Sequence, residues 1–582
     1  MAERILSPGV FSRENDLSFL TPAPAEISTA IVGPTVKGPI DIPTVVRSYG
    51  EYKNVYGETF KSGSDYYAHF TAIAAEKFFE QGGNSLLVTR VSDQAFLPAA
   101  ATVYSGSAVD TALFTLETLG EGEIMNNAGG VANNEALSLG TPENIRWEIT
   151  SVSKELGTFS LVIRRGDDNH KNKVILESYS KLSLDPKSEN YIARVIGDQK
   201  ASNVNGIITV DGDYVNKSRY VRVSSVAVKM PDYFDNAGNA KGGVGYSGSL
   251  ESLAPGSGSA HGAFSGATGT LFQAAVPGAF YQSAPETGTD DSQGVDVSAL
   301  VGAYDNAIAA LGNKDEFKFN VLLTPGITQE ANPTIVGSFV DMVEDRGDAI
   351  YVADLVGHGS SVGSARAEAA NANSSYAAAY WPWVKVYSQG LGRDIWAPAS
   401  TVMGGVYAFN DRVGAEWFAP AGLMRGGIPG VTAAERKLSQ SDRDSLYLGK
   451  VNPIATFPGS GIVAYGQKTL QTKASALDRV NVRRLLITLK NFIGDQANNL
   501  VFEQNTIATR NKFLSLVNPY LETVVQRQGL YSFRVVMDDS NNTADVIDRN
   551  QLIGQIYIQP TKTAEFIVLD FVVQPTGASF GA

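Results

Sequence analysis

A chain of 582 residues exceeds what one hydrophobic core supports, so several domains are expected. Its formal charge of −13 argues against a general nucleic-acid binder, which needs a surplus of Lys and Arg to neutralise phosphate. With no cysteine, disulfides and thiolate chemistry are excluded, and 58 glycines beside 9% aromatics describe a loop-rich globular protein rather than a disordered one.

The amino terminus, MAERILSPGVFSREND, lacks the apolar stretch of a signal peptide. No apolar run approaches membrane-spanning length, so folding in a cytoplasm is the expectation. Pro8 blocks a helix and Gly9 permits a turn, so Ser7-Pro8-Gly9-Val10 is extended or kinked, as a frayed end or an arm would be. Thr29 to Val36 reads as a buried strand ending in Gly-Pro punctuation. Asp65 to Glu80 reads as a helix with Tyr66, Phe70, Ile73, Ala74 and Phe78 on its apolar face, stopped by Gly82-Gly83. Ser85 to Val91 is the next strand, and the order predicts a βαβ arrangement.

From about Ser92 to Asp291 the character changes to short β-like runs (WEITSV, FSLVIRR, KVILESYS, YVRVSS) between Gly, Ser and Asn. Asn236 to Gly269, rich in Gly, Ser and Ala, reads as a surface loop. Alternation returns from Val295: helix VSALVGAYDNAIAALG, strand FKFNVLLTPG, helix TIVGSFVDMVEDRG, strand AIYVADLVG and helix SVGSARAEAANANSSYAA. This implies an open parallel or mixed α/β sheet that completes the one begun before the β-rich stretch.

Two motifs suggest enzymes. Gly243-Val244-Gly245-Tyr246-Ser247-Gly248 fits a dinucleotide fingerprint, but no apolar strand precedes it and no helix follows, so a loop is expected. Gly359-Ser360-Ser361-Val362-Gly363 fits a nucleophile elbow between strand and helix, and an α/β serine hydrolase using Ser361 is the alternative of another class. That fold needs its His after the Ser, yet His69, His170, His261 and His358 all precede Ser361, which favours Ser361 as a helix cap. The His are scattered and no H-E-x-x-H exists, so no catalytic, cofactor-binding or metal residues are assigned and no cofactor is expected.

The carboxy-terminal stretch opens with a basic helix, RVNVRRLLITLKNFIGDQANNLVFEQN. Val482, Leu485, Leu486, Leu489 and Ile493 recur at helical spacing, leaving Arg479, Arg483, Arg484 and Lys490 for the other face. That face is either simply solvated or a docking surface for an acidic partner. The segments YSFRVVMDDS, GQIYIQP and AEFIVLDFVVQ alternate apolar and polar residues as half-buried strands do, which makes this a small α+β unit.

Several series stand in order along the chain. They are Arg479 to Leu485 (RVNVRRL), Phe502-Glu503-Gln504-Asn505, Tyr531 to Val536 (YSFRVV), Asn541 to Asn550 (NNTADVIDRN), Ile556 to Pro560 (IYIQP) and Thr576 to Phe580 (TGASF). Together they resemble the carboxy-terminal domain of contractile bacteriophage tail sheath proteins, T-even-like ones in particular. Earlier pieces agree: Leu6 to Val10 (LSPGV), Gly33 to Pro39 (GPTVKGP), Gln81 to Arg90 (QGGNSLLVTR), Leu182 to Pro186 with Tyr191, Gly404 to Ala408, Asp411, Gly414 to Gly422 and Lys450 to Gly466. In Trp396-Ala397-Pro398-Ala399-Ser400 the chain departs from the family's P-P-S, with Ala399 at the second Pro.

The resemblance implies an α/β and α+β multidomain fold. Its parts would be an extended arm (1–25), an α/β core (26–92 and 291–470), an inserted, outward-facing β-rich domain (93–290), and a carboxy-terminal α+β domain (471–582) exchanging strands with neighbours. Leu6, Ser7, Pro8, Gly9, Val10, Phe571 and Phe580 would form inter-subunit arms, and Arg479, Arg483, Arg484 and Lys490 would face the tail tube. The implied role is a structural subunit, not an enzyme, stacking as hexameric rings around the tube. Contraction would drive the tube through the host envelope. Partners would be further copies of the chain, the tube, the baseplate and the tail terminator, with no direct nucleic acid and no membrane insertion. The place would be the virion tail, assembled in the host bacterial cytoplasm; the sheath of a tailocin or secretion-type injection system is the near alternative.

Overall fold

The computed structural model describes residues 29–62, 65–92, 96–105, 111–126, 136–153, 155–169, 171–239, 262–269 and 297–565. The described chain enters on strand β1 (Thr29–Gly33), buried at every residue, as an apolar strand inside a parallel sheet must be. Strand β2 (Thr44–Val46) and helix α1 (Tyr49–Tyr56) follow, the Ser48 hydroxyl capping α1 by accepting from the Glu51 amide. Strands β3 (Phe60–Ser62) and β4 (Asp65–Tyr67) pair as an antiparallel ribbon. Helix α2 (Phe70–Glu80) then leads to strand β5 (Leu86–Arg90), parallel to β1, which makes the predicted crossover. The helix expected from Asp65 is shorter than that. Residues 65–67 join the ribbon, as adjacent tyrosines favour, and Tyr66 is 56% exposed instead of lying on the helix's apolar face.

The β-rich stretch follows as β6 (Pro98–Ser105), β7 (Thr111–Glu121), β8 (Ile145–Ser153), β9 (Thr158–Arg165), β10 (Ile175–Ser183), helix α3 (Ile192–Ile196), β11 (Lys200–Val204), β12 (Ile207–Asp211) and β13 (Val221–Val226). Two antiparallel sheets, β13-β7-β6 and β10-β9-β8, share one core in which the Phe114 and Phe159 rings stack 5.5 Å apart, while β11 and β12 form a separate hairpin. Leu182, Leu184 and Tyr191 of the family-like segment are buried in that core. Residues 262–269 are not the surface loop expected of them: Ala263, Ser265 and Thr268 bridge to Arg146, Ala100 and Leu97, and Phe264 is wholly buried. Gly262 explains the small residues, since a Cβ there would meet the Trp147 carbonyl oxygen at 1.9 Å.

The α/β pattern resumes with helix α4 (Val297–Gly312), β14 (Val321–Thr328), α5 (Pro333–Arg346), β15 (Ile350–Asp354), α6 (Val362–Asn371) and β16 (Ala377–Trp381). The last expected helix ran to Ala378; it stops at Asn371, and Ala377 and Ala378 instead open a fully buried strand. Next come β17 (Val384–Ser388), β18 (Arg393–Ala397), α7 (Ser400–Val413), α8 (Gly422–Arg425), β19 (Val431–Ala434), α9 (Gln440–Leu448), β20 (Asn452–Phe457) and β21 (Gly461–Ala464).

One eight-stranded sheet, ordered β2-β5-β1-β14-β15-β16-β20-β21, draws on chain from both sides of the β-rich stretch, joined where Thr29, Ala30 and Ile31 register with Val321, Leu322 and Leu323. Its two faces bury separate clusters, one with Phe78, Val402 and Met403, the other with Phe339, Val343 and Ala365. Gly404 and Gly405 let α7 lie close: a Cβ at Gly405 would stand 2.8 Å from the Lys77 carbonyl oxygen, and one at Gly404 2.6 Å from Leu323. Ser400, the serine of the departed motif, is wholly buried; its hydroxyl donates to Asp354 Oδ2 at 2.5 Å and its amide to Oδ1 at 3.1 Å, so α7 starts on a strand-end carboxylate.

The chain closes with helices α10 (Val480–Asn498) and α11 (Ile507–Gln526), strand β22 (Leu530–Val536), helix α12 (Ala544–Asp548) and strand β23 (Gln555–Pro560), which pairs antiparallel with β22. Leu485, Leu489, Phe513, Val517, Leu521, Val524 and Leu530 form their shared core with Trp417. Asn542, 2% exposed, holds the β22–β23 connection by donating to the Asp538 and Ile553 carbonyls and accepting from the Ile553 amide.

The β-rich stretch meets the α/β body through polar contacts among the described residues. Arg90 donates to the Gly38 and Glu121 carbonyls, Lys37 pairs with Glu143 at 3.1 Å, and the Asn203 amide donates to the Asp41 carbonyl at 2.8 Å. Asn306 donates to Asp41 Oδ2 at 3.0 Å, and burial pushes the Asp41 carboxyl from 3.8 up to about 6. A carboxyl raised in the folded state favours folding below its unfolded value and loses that contribution as pH rises through the folded one, so ionised Asp41 opposes folding at neutral pH. Asp41→Asn suits the left-handed φ of 56°. It is expected to raise stability near pH 7 by about 1–2 kcal/mol, after discounting for partial exposure, with no gain near pH 3. Urea unfolding of both forms across that range checks this; equal stability at pH 7 contradicts it.

Candidate functional site

The basic helix is the site that the sequence singles out, and the structure redistributes its charges. Arg483 and Arg484 are 4% and 2% exposed, so the expectation that they lie on an outward face is corrected. The Arg484 guanidinium makes a two-pronged pair with Asp411, NH1 to Oδ1 at 2.7 Å and NH2 to Oδ2 at 2.6 Å, and lies 4.9 Å from the centre of the Tyr407 ring. Burial works against its charge, but Asp411 outweighs burial and raises its pKa above the ordinary arginine range. Arg483 sits 3.9 Å from the centre of the Tyr376 ring, donates to the Ser375 carbonyl at 3.2 Å and bonds the Ser375 hydroxyl; burial lowers its pKa.

These contacts exist because α10 packs two ways. Val480 and Ile487 belong to the sheet's core, whereas Leu485 and Leu489 belong to the cluster with α11. The first turns of α10, enclosed on two sides, leave no free face for Arg483 and Arg484, so the chain entering β16 and α7 provide their partners. The seam continues through the Trp417 indole, donating to the Arg527 carbonyl at 3.1 Å, Arg527 to the Gly414 carbonyl at 3.0 Å, and Thr488 bonded to Glu416.

Arg479 and Lys490 are the outer pair. Lys490 is exposed and reaches the Tyr376 hydroxyl at 3.0 Å. Arg479 is half-buried and held by Asp478 at 2.9 Å and by Glu565, Nε to Oε1 at 2.7 Å and NH2 to Oε2 at 3.0 Å. Tyr447 and Gln467 also donate to Glu565, at 2.9 and 3.1 Å. Burial opposes the Glu565 charge, yet the bonds from Arg479, Tyr447 and Gln467 hold its pKa below the ordinary carboxylate range.

Sequence reasoning missed Glu565, Ser375 and Tyr376. Asp411 stood in a family-like series but carried no pairing signal. The turn between α10 and α11 was missed as well: Phe502 is fully exposed at a left-handed φ of 70°, beside exposed Val501 and Ile507. The expected arm residues Leu6, Ser7, Pro8, Gly9, Val10, Phe571 and Phe580 lie outside the described residues, as do Gly243 to Gly248 and all but the first two residues of the expected strand AEFIVLDFVVQ.

Ser361 is an ordinary helix cap. Its backbone is extended (φ −90°, ψ 161°), not strained, and its hydroxyl accepts from the Ser364 amide at 3.1 Å. The nearby His358 ring instead packs on Trp383 and Trp396, with centres 5.7 and 5.2 Å away. Among the described residues no three His, Asp or Glu converge as a metal site.

Residues 300–470 match the phage tail sheath protein central domain, and residues 472–574 match the phage tail sheath carboxy-terminal domain. Over those residues the chain is similar to the phage tail sheath family. The tail sheath protein of Vibrio phage KVP40 is 40% identical over 218 residues, 38% of this chain and 32% of that protein. The tail sheath protein of Enterobacteria phage T4 is 37% identical over 229 residues, 39% of this chain and 35% of that protein. The chain thus matches about a third of the length of these relatives. A crystal structure of a sheath tail protein from Listeria innocua superposes with a TM-score of 0.50 at 11% identity over 92% of this chain and 96% of that one, a likeness of fold.

The hydrolase alternative finds no support in this geometry or in these relatives. Ser361→Ala is expected to lower stability by about 1 kcal/mol, the typical worth of a serine cap, and to leave hydrolysis of a model ester at the blank rate before and after the change. Ester turnover by the unmodified chain that the substitution abolishes would restore the enzyme reading.

Proposed function

We propose that this chain is a structural subunit of a contractile phage tail sheath, residing in the virion tail and assembled in the host cytoplasm. The observation that carries this reading is the pair of consecutive sheath-family matches across 300–574, on two units that share helix α10. In this reading residues 26–92 and 291–470 are the core domain, 93–290 the inserted outward-facing β domain, and 471–582 the tube-facing domain. Copies stack as hexameric rings, held also by baseplate and terminator proteins, and shortening drives the tube through the envelope.

The subunit breaks no bond, so its work comes from a free-energy difference between two packings of the same bodies, the extended one being held kinetically. Sliding bodies must stay joined, and strand addition achieves this because its affinity comes from backbone hydrogen bonds while a flexible link absorbs the motion. Strands β22 and β23 pair only with each other among the described residues, and Tyr531 and Tyr557 are 64% and 56% exposed on them. The arm of a neighbour, Leu6 to Val10, and the tail from Phe571 to Phe580 are the donors in this reading. With Arg483 and Arg484 buried and Arg479 engaged by Glu565, Lys490 is the member of the basic set left to meet a tube.

Electron microscopy of the purified chain is expected to show striated hollow tubes. Deleting Met1 to Asn15 is expected to leave a soluble, cooperatively unfolding monomer that forms none. Discrete particles from the full chain contradict the sheath reading, and normal tubes from the truncation contradict the arm.

A further inference from the structure

Residues 561–565 form a strap between two parts of the molecule. At one end β23 finishes at Pro560, and Thr561 is fixed by its amide donating to the Gly529 carbonyl at 3.1 Å and its hydroxyl to the Gln528 carbonyl at 2.7 Å. At the other end Glu565 enters a polar socket built by the α/β body: Tyr447 at the end of α9, Gln467 after β21, and Arg479 at the start of α10. Thr563 is tied in the same way, accepting from the Gln467 amide at 2.6 Å. The socket is itself braced, with Asp478 at 2.9 Å from Arg479 and 3.8 Å from Lys450, and the Lys468 ammonium 4.0 Å from the centre of the Tyr447 ring.

The mechanical consequence follows from how hydrogen bonds share force. The hairpin β22–β23 has two strands, which is marginal for a free-standing sheet, and a pull applied directly to the end of β23 would open its bonds one at a time. A fork of charge-assisted bonds from Arg479, with two neutral donors beside it, must instead give way together. The socket also stands on α9 and α10, which are packed into the main cores through Leu446, Val480 and Leu485.

We infer that Glu565, seated on Arg479, Tyr447 and Gln467, is the fixed root of the carboxy-terminal arm, directing tension from residues beyond 565 into the α/β body and shielding β22–β23 from it. This rests on the reading that those residues bind a neighbouring copy in an assembled sheath.

Two readouts on the full-length chain separate the anchor from that reading. In the monomer, Lys562 offers a trypsin site within the strap, and cleavage there tracks how often the strap opens. Glu565→Gln and Arg479→Gln, approached from the two sides of the socket, are each expected to speed cleavage after Lys562 about ten-fold or more, with the unfolding midpoint nearly unchanged. In assembled tubes both variants are expected to dissociate at lower urea than the unmodified chain, with β23 amides losing protection first. Cleavage within about two-fold of the unmodified rate in both variants overturns the anchor whatever the tubes do. Faster cleavage with tubes of unchanged stability leaves a strap clasp but overturns its role in tension. If the unmodified chain forms no tubes, the sheath reading fails, and with it the role in tension, while cleavage still decides whether Glu565 pins the strap.

Discussion

The arrangement depends most on one ion pair, the buried Arg484 with the part-buried Asp411. Taking a guanidinium out of water is expensive, and the cost is offset here only because Asp411 presents both carboxylate oxygens and Tyr407 supplies a ring face. Such a pair adds little net stability over a well-packed apolar alternative, but it tolerates one geometry only. It therefore fixes α10 against α7, and with α10 goes the whole carboxy-terminal unit. Arg483 on Ser375 and Tyr376 sets the same helix against the start of β16.

A body held in this way can move without deforming. The eight-stranded sheet is closed by chain from both sides of the β-rich stretch, and helices cover both of its faces. In the proposed sheath reading, a polymer that shortens needs connections that survive sliding, and the half-exposed hairpin β22–β23 and the strap from it to the socket of Glu565 are the elements proposed to carry them. Division of labour between a stiff core and compliant margins follows from close packing, because dense cores switch between arrangements and do not stretch.

How much of this could be read in the sequence depended on the distance over which each feature is decided. The crossover β1–α2–β5 and the alternation from α4 to β15 were legible because period and punctuation are local, as in Gly347, which ends α5 in the left-handed conformation. The end of α6 was misjudged because alanine-rich chain suits a helix locally, while Ala377 to Ala379 are claimed by pairing with β15. Residues 262–269 read as loop because small residues serve both loops and close backbone approach. The arginines were the main error. At helical spacing a charge reads as surface, and nothing near Arg484 in sequence announces that Asp411 waits 73 residues upstream. Ser361 was legible for a negative reason, the absence of any later histidine, and its capping bond agrees.

The most direct test of the account is a double-mutant cycle between Arg484 and Asp411, using Arg484→Met and Asp411→Asn, with urea unfolding followed separately by hydrogen exchange of the α11 amides and of the β15 amides. Asp411→Asn is expected to cost about 3–5 kcal/mol by leaving the buried Arg484 charge without its partner, and Arg484→Met about 1–3 kcal/mol because Asp411 remains partly solvated. The pair is expected to show a coupling of at least about 2 kcal/mol, with both probes reporting one transition in the unmodified chain. Coupling below about 0.5 kcal/mol, together with a carboxy-terminal unit that unfolds ahead of the sheet, would contradict the claim that this ion pair makes the two units one body.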